Sequence, residues 1–413
     1  MPATAIRNVT LVDGKGQRTR DGVIVVADNR IVHSGVGVPE IPKDALVLDG
    51  AGLSVMPGMF NCHFHSCYLG IGGTGLPIGM EAPPGVLAIR GAFNLGLALE
   101  CGFTSVISAG VPHAIDAALK QAMDEGLIKG PRMMAGSRDV STTAHSQDMY
   151  FPWHWAPAEH PGVLRCDGPE EFRKGIRTEI KRGAEIIKIF ATPGHSVRGT
   201  YGTLELSIPE LAAAVEAAHE RGVKIRAHLA NKHGIMTCVE LGFDIVDHGD
   251  ELDEQCIELM VKKGAVLAPS CFFPHNVAPH RSGPHLELMM REMRAMLAML
   301  PKAQAAGLKI VLGDDYGTVA LEHGRYGEEL AFYVEYAGVS PADVITWATS
   351  NGAYAMGRSE DLGDLKMGML ADLIVVRGDP LDDIKLLGDP ANVVAVMKDG
   401  RWAKNEMDGD MCL

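Results

Sequence analysis

Apolar and polar positions alternate in short runs over the first 57 residues, at 5–12, 22–27, 30–35 and 45–49, with turn signals between them such as Asp13-Gly14 and Asp28-Asn29. A two-residue period marks strands with one buried face. From residue 54 the pattern changes. Apolar runs at 54–60, 104–109, 132–136, 185–191, 223–228, 244–248, 265–270 and 309–313 alternate with stretches of helical period at 86–101, 113–128, 169–182, 208–221, 232–241, 252–263, 285–306 and 321–338. Ser207-Ile-Pro-Glu210 reads as a capping box with Pro in the first turn. Gly183, Gly222, Gly242, Gly264 and Gly307 stand where helices should stop. Eight strand–helix units in series predict an α/β fold, a (β/α)8 TIM barrel. After one more helix (341–357) the chain returns to strands at 370–377 and 393–398, closed by Asp399-Gly400. Neither terminal β-segment has enough strands to stand alone. They are expected to form one small discontinuous β-sandwich domain, 1–57 with 361–413, beside a barrel of 58–360.

Composition narrows the partners more than the fold. A formal charge of −14 argues against nucleic acid and anionic membrane. No apolar run approaches transmembrane length, and Met-Pro-Ala-Thr-Ala-Ile-Arg at the start holds no apolar signal core. Eight cysteines without a Cys-x-x-Cys pair fit free thiols in a reducing cytoplasm. Cytoplasmic localisation and a small-molecule substrate are the expectations.

The chemistry gathers at strand ends. His63-Phe-His65 closes the first barrel run, and residues i and i+2 of a strand share a face. Imidazole is a common metal ligand. The fifth run ends Arg226-Ala-His228, the sixth Val246-Asp-His248 and the eighth Leu312-Gly-Asp-Asp-Tyr316. Lys188 lies in the apolar fourth run, 185–191. Alone, each histidine reads as a core or surface group, and Lys188 as a side chain snorkelling to the barrel mouth. Together they place four histidines, a lysine and an aspartate on the rim where such barrels do chemistry. A buried lysine shifts toward the neutral amine. A neutral amine can take up carbon dioxide, giving a carbamate whose two oxygens are able to bridge metals. Cys62 reads as packing.

These residues resemble the amidohydrolase superfamily, in particular its imidazolonepropionase-like and metal-dependent prolidase-like branch. The resemblance rests on Pro57-Gly58 before His63-Phe-His65, Ile187-Lys-Ile189, Ala227-His228, Asp247-His-Gly249, Gly313-Asp-Asp315 and Ala371-Asp-Leu-Ile-Val375, and covers nearly the whole chain. It implies two divalent metal ions, zinc by default. His63, His65 and Asp315 would hold one and His228 and His248 the other. N6-carboxylated Lys188 and a hydroxide would bridge them. The hydroxide would attack a carbonyl, and Asp315 would carry its proton to the leaving nitrogen. Two departures stand out: Asn61 where relatives carry Asp, and Asp314 where they carry Thr. Strand alternation lets one of the two adjacent aspartates face the metals, and the family pattern selects Asp315.

His145, in Ser141-Thr-Thr-Ala-His145, matches a substrate-contacting histidine of that branch; a loop histidine bonded to backbone is the alternative. In the loop after Lys188, Tyr201 is a candidate for the substrate carbonyl and Arg198 for a substrate carboxylate, with His195 a weaker candidate. A solvated arginine is the competing reading for Arg198. The apolar stretches 149–155, with Trp153, and 271–275, with His275, would wall the pocket and suit a bulky apolar or aromatic group. Packing of these loops, or a subunit contact, is the alternative, and a homo-oligomer is expected. The reaction is expected to be hydrolysis of an amide-type C–N bond in a dipeptide, an N-acyl amino acid, or an aryl amide or carbamate. Opening of a cyclic amide is the alternative. Deamination is disfavoured by Asn231, where deaminases carry Glu, and by Lys188; a catalytically dead scaffold is disfavoured because every expected ligand is present.

Overall fold

The computed structural model describes residues 3–37, 40–73, 76–146, 148, 154, 161–193, 202–280 and 282–407. Its centre is a parallel (β/α)8 barrel. The strands are β6 (Met59–Phe64), β7 (Phe103–Ser108), β8 (Arg132–Met134) continued by β9 (Gly136–Ser141), β11 (Ile186–Phe190), β12 (Lys224–Leu229), β13 (Ile245–His248), β14 (Val266–Ala268) and β15 (Lys309–Ile310). They form two parallel arcs, β6-β7-β8 and β9-β11-β12-β13-β14-β15, with β10 (Val163–Arg165) added beside β9. Backbone bonds join the arcs at both seams. Val111 N–H donates to Ser137 O at 3.0 Å, and Cys62 N–H to Leu312 O at 2.7 Å.

The helices that cover the barrel begin and end where local chemistry directs. In α4 (Ile208–His219) the expected capping box is formed, with Ser207 N–H donating to Glu210 Oε2 at 2.8 Å. Gly242 and Gly264 end α5 (Lys232–Leu241) and α6 (Glu254–Lys263) in the left-handed region. Three details depart from the sequence pattern. The run 54–60 is two strands, because Gly58 packs against Thr104: a Cβ there would lie 2.0 Å from Thr104 Oγ1. β5 (Leu53–Pro57) therefore belongs to another sheet than β6. The helix expected at 341–357 is broken at Thr349 into α10 (Pro341–Ala348) and α11 (Ser350–Met356). The stretch after β14, expected as a wall loop, is the short helix α7 (Phe272–Val277).

Strands from both chain ends make one eight-stranded sheet. Its order is β18 (Arg401–Asn405), β17 (Val393–Lys398), β16 (Leu373–Arg377), β5, β1 (Thr4–Val12), β2 (Arg18–Ala27) and β3 (Arg30–Val36), with β4 (Leu46–Asp49) against β1. β16 runs antiparallel to β5, so the two ends meet at that seam. Arg132 of β8 ties this sheet to the barrel through Asp399, at 2.7 Å, and Asp372, at 3.3 Å.

The barrel interior is built in layers. Phe60, Cys62, Ile107, Ile186, Ile245, Val266, Ala268 and Val311 form one buried apolar cluster together with Ala353 and Met356 of α11. Residues from so many strands meet only inside the barrel. This floor is dry, and burial pushes the Cys62 thiol up to about 12. A charged layer lies near it and the histidines beyond that.

Candidate metal centre at the barrel mouth

Arg226 and Asp247 make the charged layer, and both are fully buried. Arg226 donates through Nη1 to the carbonyls of Cys62 and Ser108, each at 2.8 Å, and through Nε and Nη2 to the Asp247 carboxylate. Lys188 Nζ donates to Asp247 Oδ2 at 2.6 Å. Burial alone would raise the Asp247 carboxyl, but Arg226, Lys188 and His63 outweigh it and hold the group well below its ordinary range. Burying two cations without Asp247 would be costly, so this layer stands or falls as a unit. The sequence carries a signal for it: Arg226 sits two residues before His228, on the same face of β12. That face was read for the histidine alone.

Past this layer the rings of His65, His63, His248 and His228 stand in a row. Neighbouring centroids are 5.2, 5.3 and 4.2 Å apart. The outer two are braced by aromatic faces. His65 stacks on Tyr68 at 4.1 Å and His228 on Phe190 at 4.2 Å. His65 Nδ1 lies 2.9 Å from Gly110 O. A carbonyl only accepts, so this ring nitrogen bears the hydrogen, which leaves Nε2 as the nitrogen that could face a metal. His248 adopts φ +68, rare for a residue with a Cβ, at the very end of β13. That kink lets Asp247 and His248, neighbours on a strand, both approach His63.

Asp315 closes the row. Its Oδ1 lies 3.0 Å from His63 Nε2 and 3.3 Å from His65 Nε2, and 27% of its side chain is exposed at the mouth. Burial tends to raise its carboxyl, yet His63, His65 and His248 hold it well below the ordinary range. The adjacent Asp314 faces the other way. It is fully buried, accepts the Phe273 and Asp315 N–H groups, and is pushed up by burial and by Asp315 and Glu329. Gly313 makes this turn possible: a Cβ there would lie 2.3 Å from His63 N.

A metal ion fits this donor set. One ligand atom each from His63, His65 and Asp315 lies within 4.8 Å of the others. Both ring nitrogens of His63 are buried without a hydrogen bond, although Nε2 faces a carboxylate oxygen. A cation between such groups resolves the arrangement. Burial also lowers His63 to about 4 and His248 well below its ordinary value, so both rings are neutral and available as ligands at neutral pH.

The remaining expected site residues are more scattered. His145 is buried, 6.1 Å from the Phe190 ring that supports His228. Its loop is held by Ser146, whose N–H and hydroxyl donate to Glu205 at 2.7 and 2.8 Å. His275 sits on α7 against Phe332 and Tyr336 of α9 (Glu328–Ala337), with ring centroids 5.0 and 4.9 Å away. Trp153, His195, Arg198 and Tyr201 lie outside the described residues.

Comparison with known proteins identifies the family. Residues 54–403 match the model of the amidohydrolase family. Ochratoxinase from Aspergillus niger is 28% identical over 95% of this chain and 85% of its own length. Its crystal structure superposes with a TM-score of 0.86, covering 98% of this chain and 96% of that one. A prolidase complexed with N-methylphosphonate-L-proline gives a TM-score of 0.86 at 27% identity, over 98% of this chain and all of that one. Imidazolonepropionase from Alkaliphilus metalliredigens is 24% identical over 92% of this chain and 90% of its own length. Among the described residues no helix is long and apolar enough to cross a membrane. The chain belongs to the amidohydrolase family and is a hydrolase of carbon–nitrogen bonds.

Proposed function

We propose that this protein is a metal-dependent amidase that splits an acyl group from the nitrogen of an amino acid or aryl amine. The carrying observation is the row of four histidines ending on Asp315 at the carboxyl ends of the barrel strands. His63, His65 and Asp315 would hold one divalent ion, zinc by preference, and His228 and His248 a second. Lys188, which stands beside the histidine row on Asp247, would join them once converted to its carbamate. Bound ions would supply Lewis acidity and lower the pKa of water.

The chain's own groups divide the remaining work. Among the described residues, Asp315 is the rim carboxylate that touches the histidine row and also reaches the mouth. It is placed to take a proton from the attacking water and return it to the leaving nitrogen. His145 would contact the substrate carbonyl beyond Phe190, and Tyr201, Arg198, Trp153 and His275 are proposed as further substrate contacts. The ochratoxinase and prolidase similarities support an amide with a bulky or amino-acid partner. The similarity to imidazolonepropionase supports the alternative, a cyclic amide. We further propose that the discontinuous end domain comprises 1–57 and 361–413, that the enzyme is cytoplasmic, and that it is a homo-oligomer.

The test is a mass-spectrometric screen of metal-loaded protein against dipeptides, N-acyl amino acids, aryl amides, carbamates and lactams. Chelator-sensitive release of acid and amine is the expected result. Water addition without splitting would move the assignment to cyclic amides, and ammonia release would overturn it.

A further inference from the structure

Strand eight poses a problem of support. β15 spans only Lys309–Ile310, yet the chain must hold Asp315 to within hydrogen-bond distance of two histidines five residues later. Backbone bonds to neighbouring strands reach as far as Val311, which donates to Leu267, and Leu312, which accepts from Cys62. Gly313 cannot stiffen the turn through a side chain, since a Cβ would strike the His63 backbone. Its φ of +132 is also the freedom of glycine.

Support comes from α9. Glu329 is 1% exposed, and both its carboxylate oxygens are committed to this turn. Oε1 accepts the Gly313 N–H at 3.1 Å, and Oε2 accepts the Tyr316 hydroxyl at 3.0 Å. These two residues bracket Asp315. The Tyr316 ring is itself fixed edge-on to Tyr326, centroids 4.7 Å apart. Burying a carboxyl is unfavourable unless its hydrogen bonds matter. Burial pushes this one up to about 8; an amide in its place can still accept the Gly313 N–H through its oxygen and meet the Tyr316 oxygen through its nitrogen, with the direction of that bond reversed.

We infer that Glu329 is a positioning residue for Asp315: by gripping Gly313 and Tyr316 it fixes the turn that aims Asp315 at His63 and His65. The inference rests on the proposed proton-carrying role of Asp315. It predicts that Glu329→Ala lowers kcat about 10–100-fold, the range for supporting residues, while KM changes little. Glu329→Gln, which keeps both contacts, should retain most of the rate. The measurement is steady-state kinetics with metal analysis on zinc-loaded enzyme, alongside Asp315→Asn, using an amide found in the screen. Unchanged kcat in folded Glu329→Ala, or equal losses in the Ala and Gln variants, would overturn the positioning role. Where Glu329→Ala does not fold, Tyr316→Phe decides: a several-fold lower kcat at unchanged KM supports the role, and an unchanged kcat removes it. Full activity in Asp315→Asn would instead sink the reading beneath it.

Discussion

The two halves of the histidine row are built differently. The half on strands one and eight is already assembled. His65 is oriented by Gly110, His63 by the backbone around Asn61 and Gly313, and Asp315 meets both. The half on strands four, five and six is not. His228 and His248 pack edge to face against each other, and Lys188 is turned onto Asp247 rather than toward them. One half is fixed by close backbone packing; the other borders the Lys188–Asp247–Arg226 charge network, which would have to rearrange for the proposed bridge by Lys188. Rigid preassembly favours tight binding because little ordering remains to be done on association. The first site should therefore fill first, and the second should depend on the state of Lys188.

The sharpest way to test that division is Asp315→Asn. It should keep the fold and most of the metal while turnover falls by about three orders of magnitude, within the range of general acid–base effects; kinetics paired with metal analysis would show it, and normal turnover would remove Asp315 from proton transfer. Next comes Lys188→Ala, expected to lose metal from the second site before the first, with turnover down roughly 100-fold and partly restored by a short carboxylic acid. Full occupancy in that variant would end the bridging carbamate.

A smaller effect is expected from pH. His63, lowered to about 4, and the partly buried His323, lowered to about 3, are neutral when folded but take protons readily once unfolded. The unfolded chain then binds more protons, so metal-free protein should lose stability as pH falls from about 6.5 toward 4 and gain nothing further above 6.5. Thermal melts across that range, with and without zinc, would test it; a flat profile would contradict the neutral burial. Smallest of all is Asn61→Asp. Asn61 Oδ1 accepts the His63 N–H at 3.1 Å, and an aspartate keeps that acceptor while removing an amide nitrogen that has no partner. Turnover should stay within roughly threefold of the parent, because the supporting hydrogen bond survives. A loss of tenfold would show that the amide does more than hold the strand.

Much of this was legible because it repeats along the chain. The alternation of apolar runs with helical periods placed the barrel strands, and the residues closing those runs gave His63, His65, His228 and His248. What escaped depends on contacts distant in sequence. Gly58 divides one apolar run between two sheets because Thr104 packs against it. The kink at His248 defeats simple alternation on β13. Arg226 looked like one more strand residue until Asp247 and the carbonyls of Cys62 and Ser108 were seen around it. Lys188 was read as a side chain in an apolar frame, but its nearest partner is a buried carboxylate. Periodicity records which face a residue is on, and carries no record of what another strand presents to it.

The apolar floor has a consequence for traffic. Phe60, Ile186, Ile245 and their neighbours, with Arg226 and Asp247 nearby, leave the barrel stoppered at its lower end. Under the proposed cleavage both fragments would leave by the mouth, where Asp315 is part exposed. The fragment lying nearer the mouth would have to depart before the deeper one, so slow escape of an outer fragment would stall the enzyme even when bond cleavage itself is fast.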